Sequence, residues 1–232
     1  MARRANLEKG NNLRISLDRV DLWDDRPMPE IGKLKFSWVV AQVNKGQYDT
    51  VQKIGDEPYD TYPAPTKIPG AALEFNCASF GKVISNELHI KTVVSTIKFE
   101  NGVVFTNYVH AVNQVGYFEF ENLPEGSGEN NFLPQLMIPN YNYSEQSKDD
   151  NSHAGEGLQK LGYKKGNVTK TTDNIRYQQP TWNRNYYEIL VQWKRISPKK
   201  IVGSLTISLN KKAFLPAFSP FQKELGSHVK WW

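Results

Sequence analysis

The side chains in this sequence that could do chemistry are dispersed, and few share a spacing that chemistry requires. Glu119-Phe120-Glu121 places two carboxylates on one side of a strand, about 7 Å apart by strand rise. Glycosidases use carboxylate pairs at such separations, and any alternating edge strand produces them too. The histidines (His89, His110, His153 and His228) have no ligand spacing among them. Tyr108, Val112 and Val93 stand where a partner ligand for His110 would have to be, so no metal site is expected. Asp18, Asp21, Asp24 and Asp25 lack the Asp-x-Asp-x-Asp-Gly order of a calcium loop and read as a solvated turn. Cys77 is the single cysteine. It excludes an internal disulfide framework and, with no basic neighbour in sequence, reads as a small buried hydrophobe.

A second pattern is an acid followed at a distance by Gln-x-Lys. Asp173 precedes Gln192-Trp193-Lys194, and Glu188 lies on the same strand and parity as Gln192. Metal-dependent nucleases of the restriction-endonuclease type use such groups on adjacent strands, the acids holding Mg²⁺ and the lysine polarising water. Those enzymes embed the motif in an α/β core behind a helix, and no such helix is legible here. Glycine-rich phosphate loops, dinucleotide fingerprints and the Gly-x-Ser-x-Gly elbow do not occur. No catalytic residue, cofactor or metal is therefore expected.

Charge and aromatic side chains carry a stronger signal. Residues 101–160 hold eight acids against two lysines, whereas residues 194–232 hold eight basic residues against one acid. Opposed halves suit contact between copies, or an anionic partner at the basic end. Within that end, Trp193-Lys194-Arg195, Lys211-Lys212-Ala-Phe and Lys230-Trp231-Trp232 interleave cations with rings, as single-stranded nucleic-acid binders do. Two terminal indoles are costly in water, so Trp231 and Trp232 are expected to dock into the chain's own core or a neighbouring subunit. The expected interface residues are Lys194, Arg195, Lys211, Lys212, Trp231 and Trp232.

The elements that must position these residues are mainly strands. Leu13–Leu17 alternates apolar and polar, and Lys35–Val43 is apolar on both parities, which predicts a strand buried on both faces. Asn101-Gly102 predicts a two-residue type I′ hairpin joining Leu88–Glu100 to Val103–Val112, with Phe99 opposite Val104 and Ile97 opposite Thr106. That register leaves apolar residues on both faces, which asks for cover on each side. Residues 115–120 continue the meander. Tyr186–Ile196 and Ile201–Leu209 form a second, half-buried hairpin through Ser197-Pro-Lys-Lys. Residues 121–185 are rich in Gly, Asn and Ser and read as a loop-rich, partner-facing excursion with room for short strands. The prolines between Asp56 and Pro69 mark an extended connection. Ser219-Pro220-Phe-Gln opens one short C-terminal helix that Gly226 is able to stop.

Six or more strands, turn signals and almost no helix predict a single domain over residues 1–232, an antiparallel β-sandwich of jelly-roll type with long loops. A barrel is the second architecture. No apolar run approaches the ~18 residues of a membrane helix, and the basic Met1-Ala-Arg-Arg start lacks the apolar stretch of a secretory signal. A soluble chain, intracellular or within a virion, is expected, and Asn142-Tyr-Ser and Asn167-Val-Thr then carry no glycan. The sequence favours a non-enzymatic, self-assembling structural protein, such as a virus or phage capsid or tail component. A carbohydrate- or nucleic-acid-binding β module comes second, and a nuclease or glycosidase third.

Overall fold

A computed structural model describes residues 5–8, 12–27, 31–56, 66–124, 133–142, 157–216 and 221–232. Strand β1 (Ala5–Glu8) pairs with β2 (Asn12–Leu17). β3 (Trp23–Asp24) pairs with β4 (Thr66–Lys67), and two helices, α1 (Phe36–Asn44) and α2 (Tyr48–Gly55), lie between them in the chain. β5 (Ala71–Asn76) joins β2 and, on its other edge, β10 (Gln135–Met137), completing a four-stranded sheet in the order β1-β2-β5-β10. The larger sheet consists of two antiparallel meanders. One is β6 (Val83–His89), β7 (Val94–Phe99), β8 (Val104–Val109) and β9 (Gly116–Glu121). The other is β11 (Asn167–Lys170), β12 (Asn174–Pro180), β13 (Tyr186–Ser197) and β14 (Lys200–Leu209). β9 pairs with β14, fusing the meanders into eight strands. The architecture is an antiparallel β-sandwich with one short C-terminal helix, α3 (Phe221–Trp231).

Strand alternation decides which side chains fill the sandwich. Ile97, Phe99, Phe105, Phe118, Phe120, Tyr177, Ile189, Val191, Trp193, Leu205 and Ile207 point from the large sheet onto Leu13, Ile15, Leu17, Leu73 and Phe75 of the small one. Phe75 meets Phe118 and Phe120 edge-on at 5.2 and 5.0 Å between ring centroids, the geometry that aromatic quadrupoles favour. Gly203 lies directly across from Phe118, and a Cβ there would overlap the Phe118 ring. The opposite face of the large sheet is covered by the C-terminal segment, where Ala213, Leu215 and Phe221 pack on Val94, Tyr108, Tyr117, Leu190 and Val202. The β13–β14 hairpin is therefore buried on both faces, not one as its sequence suggests.

Three further expectations are corrected. Residues 36–44 form a helix, not a strand: large apolar side chains on both parities also describe a helix that is apolar around most of its circumference. The Asn101-Gly102 turn closes a three-residue loop, since Phe99 donates to the Val103 carbonyl at 2.9 Å and only Gly102 has positive φ (87°). Ile97 then faces Phe105 and Lys98 faces Val104, one residue away from the type I′ register. This is a type I turn followed by a left-handed glycine, the next commonest hairpin connection. Because a one-residue slip moves a strand's side chains to the other face, Ile97, Phe99, Val103 and Phe105 all enter the core. Finally, residues 88–100 are not a single strand. A turn at residues 90–93, with Val93 at φ 51°, separates β6 from β7.

Within residues 121–185 the structure places β10, β11 and β12, and β12 contributes Ile175 and Tyr177 to the core. Residues 143–156 lie outside the described residues, as do most of the proline-rich connection and the Ser219-Pro220 capping signal. Helix α3 runs through Gly226 to Trp231, because packing of Phe221 and His228 on the sheet outweighs the weak helix propensity of glycine.

Candidate functional site

The register of β12, β13 and β14 disperses the nuclease-like pattern. Asp173 lies in the β11–β12 turn, where its carboxylate accepts from Thr171 Oγ1 at 2.8 Å and Asn174 Nδ2 at 2.9 Å. Its backbone carbonyl meets the Trp193 amide, and that places Asp173 on the opposite parity from Gln192 and Lys194. Glu188 is buried against Arg176 and accepts the Ala213 amide at 2.7 Å. Gln192 donates to Ser204 Oγ at 3.0 Å and the Pro216 carbonyl at 3.1 Å. Glu188 and Gln192 thus act as pegs that hold residues 213–216 on the sheet. Lys194 points to solvent.

The other chemical candidates are engaged in structure. Lys200 Nζ stands 2.8 Å from Glu119 Oε2 and 3.0 Å from Glu121 Oε1, an ion-paired triad rather than an acid and a nucleophile. Burial pushes the Glu119 carboxyl above its ordinary value while Lys200 pulls it back. Asp18 pairs with Lys67, Asp21 with Arg19 and Asp24 with Arg26. Among the described residues no three His, Cys, Asp or Glu side chains gather as metal ligands. Cys77 is buried in the core, and desolvation pushes its thiol up to about 12, well away from a reactive thiolate.

The expected interface residues divide between the two ends of the large sheet. Lys194 and Arg195 stand at the β13–β14 turn, beside Glu119 and Glu121 through β14 and β9. Lys211 and Lys212 follow the far end of β14, where the β6–β7 turn and the connection at residues 110–115 also lie. His228 bonds to Thr92 and Ala111, which brings the end of α3 to that same side. Trp231 and Trp232 pack edge-on against each other at 4.8 Å and remain 58% and 57% exposed, so they do not dock into their own core. Most of the acidic stretch, Glu125 to Glu156, lies outside the described residues. Of the other acids in residues 101–160, Glu119 and Glu121 share Lys200 of the same chain.

The surface that the sequence conceals is the α1–α2 pair. Gly46, at φ 68°, reverses the chain between the helices, and α2 packs on α1 and on the 3-10 turn at Ile31–Lys33. At about 100° per residue, Phe36, Val40 and Val43 fall in one narrow stripe of α1. All three are exposed, Phe36 by 85%. Trp38, Ala41 and Gln42 lie toward the other side, Val39 borders the stripe, and all four are at least partly covered. Only the helical period reveals this stripe, and a reading with period two distributes the same residues over two faces. No protein-family model matches the chain, and no curated protein is significantly similar to it.

Proposed function

We propose that this chain is a non-enzymatic structural protein that associates with copies of itself, as a virus or phage capsid or tail component does. The observation that carries the reading is the apolar stripe on α1. A helix that is apolar nearly all round belongs in an interior, yet Phe36, Val40 and Val43 face outward on an arm separate from the sandwich core. Exposed Trp231 and Trp232 add a second apolar surface at one end of the large sheet, with Lys211 and Lys212 at the same end to steer approach. The chain needs no other component to cover these surfaces if a neighbouring copy does so.

Light scattering coupled to size-exclusion chromatography tests the reading. The wild-type chain is expected to form oligomers whose mass grows with concentration, and Phe36→Ser/Val40→Asp is expected to shift it to monomer with an unchanged circular-dichroism spectrum. A wild-type chain that stays monomeric at high concentration overturns it.

A binding module for sugar or single-stranded nucleic acid is the second reading, favoured by Trp182. This partly exposed ring rests on the Arg26 guanidinium at 4.6 Å, and it precedes Asn183 and Arg184, both at positive φ. Strained turns concentrate at functional sites, and an exposed indole is a stacking platform. Binding to a glycan array or to oligonucleotides that disappears in Trp182→Ala would favour this reading.

A further inference from the structure

Two histidines fasten the C-terminal helix to the body, and their partners fix which ring nitrogen carries a proton. His228 is fully buried. Its Nε2 lies 2.7 Å from the Thr92 carbonyl, an acceptor only, while its Nδ1 accepts the Ala111 amide at 3.0 Å. His110 Nδ1 accepts the amides of Val112 and Asn113 at 3.2 and 3.0 Å. Its Nε2 lies 2.8 Å from Ser227 Oγ, whose own proton goes to the Glu224 carbonyl at 3.0 Å. Both rings are therefore neutral Nε2–H tautomers in the docked helix, and every ring nitrogen is used. Together they join α3 to the β6–β7 turn and to the connection at residues 110–115.

We propose that α3 is an acid-releasable strap, held by the imidazoles of His110 and His228 and let go when the buried His228 ring takes a proton. A proton on His228 Nδ1 would point directly at the Ala111 N–H that Nδ1 now accepts. The His110 ring, 5.9 Å away between centroids, adds to the cost of a charge on His228.

The groups packed on the His228 ring are aromatic, Tyr108 and Trp232, and not acidic. Tyr108 stacks on His228 at 4.8 Å and Tyr117 lies edge-on to His110 at 6.4 Å; burial holds both phenols protonated. Glu224, the one acid on α3, hydrogen-bonds with Tyr117, and Glu119 on β9 is matched by Lys200. The β6–β7 turn brings Lys91 and His89, the latter 3.8 Å from Glu87, and α3 itself carries Lys223 and Lys230. Burial holds the His228 imidazole below its ordinary 6.5, so the docked helix binds fewer protons than the released one. Docking is then complete above about pH 6.5 and weakens as pH falls through that value. Release would uncover Val94, Tyr108, Val115 and Tyr117 on the large sheet.

Hydrogen–deuterium exchange of the full chain, read by mass spectrometry between about pH 7.5 and about pH 5 and corrected for intrinsic chemistry, tests the strap. The opening constant of α3 amides is expected to rise by up to about tenfold per pH unit below about 6.5, the slope of one proton taken up on opening. Amides of β13 and β14 should stay protected. An α3 that does not respond, or that opens only together with β13 and β14, overturns the proposal. In His228→Gln, whose amide does not titrate, the acid response of α3 should flatten, and an unchanged response overturns it equally. Should that variant fail to fold, the wild-type comparison decides alone.

Discussion

Glu119 shows how a residue that looks chemical in the sequence becomes structural in the fold. Its carboxylate is buried on the outer face of β9, and the cation that makes burial tolerable, Lys200, comes from β14, adjacent in the sheet and about eighty residues away in the chain. Lys200→Met would leave that carboxylate buried without its partner. The expected loss of stability at pH 7 is about 1–2 kcal/mol, discounted because Lys200 is itself partly exposed. The sign with pH follows from the raised carboxyl. A buried acid that binds its proton more tightly in the folded chain weakens folding once pH rises above the unfolded value, and removing Lys200 enlarges that effect. The deficit of Lys200→Met relative to wild type should therefore shrink as pH falls through the carboxylate range, which urea titrations at several pH values would measure. A deficit that is flat with pH would mean that Lys200 acts through packing alone.

At the level of elements, the Asn101-Gly102 hairpin was legible in the sequence and its register was not. Asn-Gly identifies a turn whichever loop length is used, because a glycine that reaches positive φ without strain serves both geometries. What selects the three-residue loop is the gain from placing Ile97, Phe99, Val103 and Phe105 together in the sandwich, and that gain depends on β2 and β5, distant in sequence. Gly102 alone takes the left-handed conformation, with open space around it. Gly102→Val is accordingly expected to cost more than about 1 kcal/mol through backbone strain and not through a clash, whereas Asn101→Ala should cost less. Equal losses from the two in denaturant titrations would favour the type I′ geometry. The same dependence on distant partners explains α1. Phe36, Trp38, Val39, Val40 and Val43 suit a central strand as well as a helix over so short a span, and neither covering surface can be read locally. Strand β2 and the strands and turn of the β13–β14 hairpin were legible, but the cover on the hairpin's second face, which comes from residues 213–221, was not.

For the whole molecule, the basic end of the sequence does not form one basic surface. Lys194 and Arg195 stand at one end of the large sheet, while Lys211, Lys212, Trp231 and Trp232 stand at the other. Linear charge counting merges what antiparallel strands separate, so the tally of lysines does not by itself define one surface. If copies associate through the end that carries the tryptophans, the two kinds of residue there have different roles. Apolar contact supplies most of the affinity, and charges at the rim steer approach and are screened by salt. Removing Trp231 and Trp232 takes away the edge contact of Trp232 with His228 but leaves the His228 hydrogen bonds to Thr92 and Ala111 in place, so the circular-dichroism spectrum should be nearly unchanged while the association constant falls at least about tenfold, the equivalent of about 1.4 kcal/mol. Lys211→Glu/Lys212→Glu should instead slow association at low ionic strength. That difference should shrink near 1 M salt, where the Debye length is about 3 Å. Stopped-flow light scattering across a salt series separates the two effects. An association rate that ignores both salt and the lysines, together with an affinity that ignores the tryptophans, would remove this end of the sheet from the interface and leave the α1 stripe as its anchor.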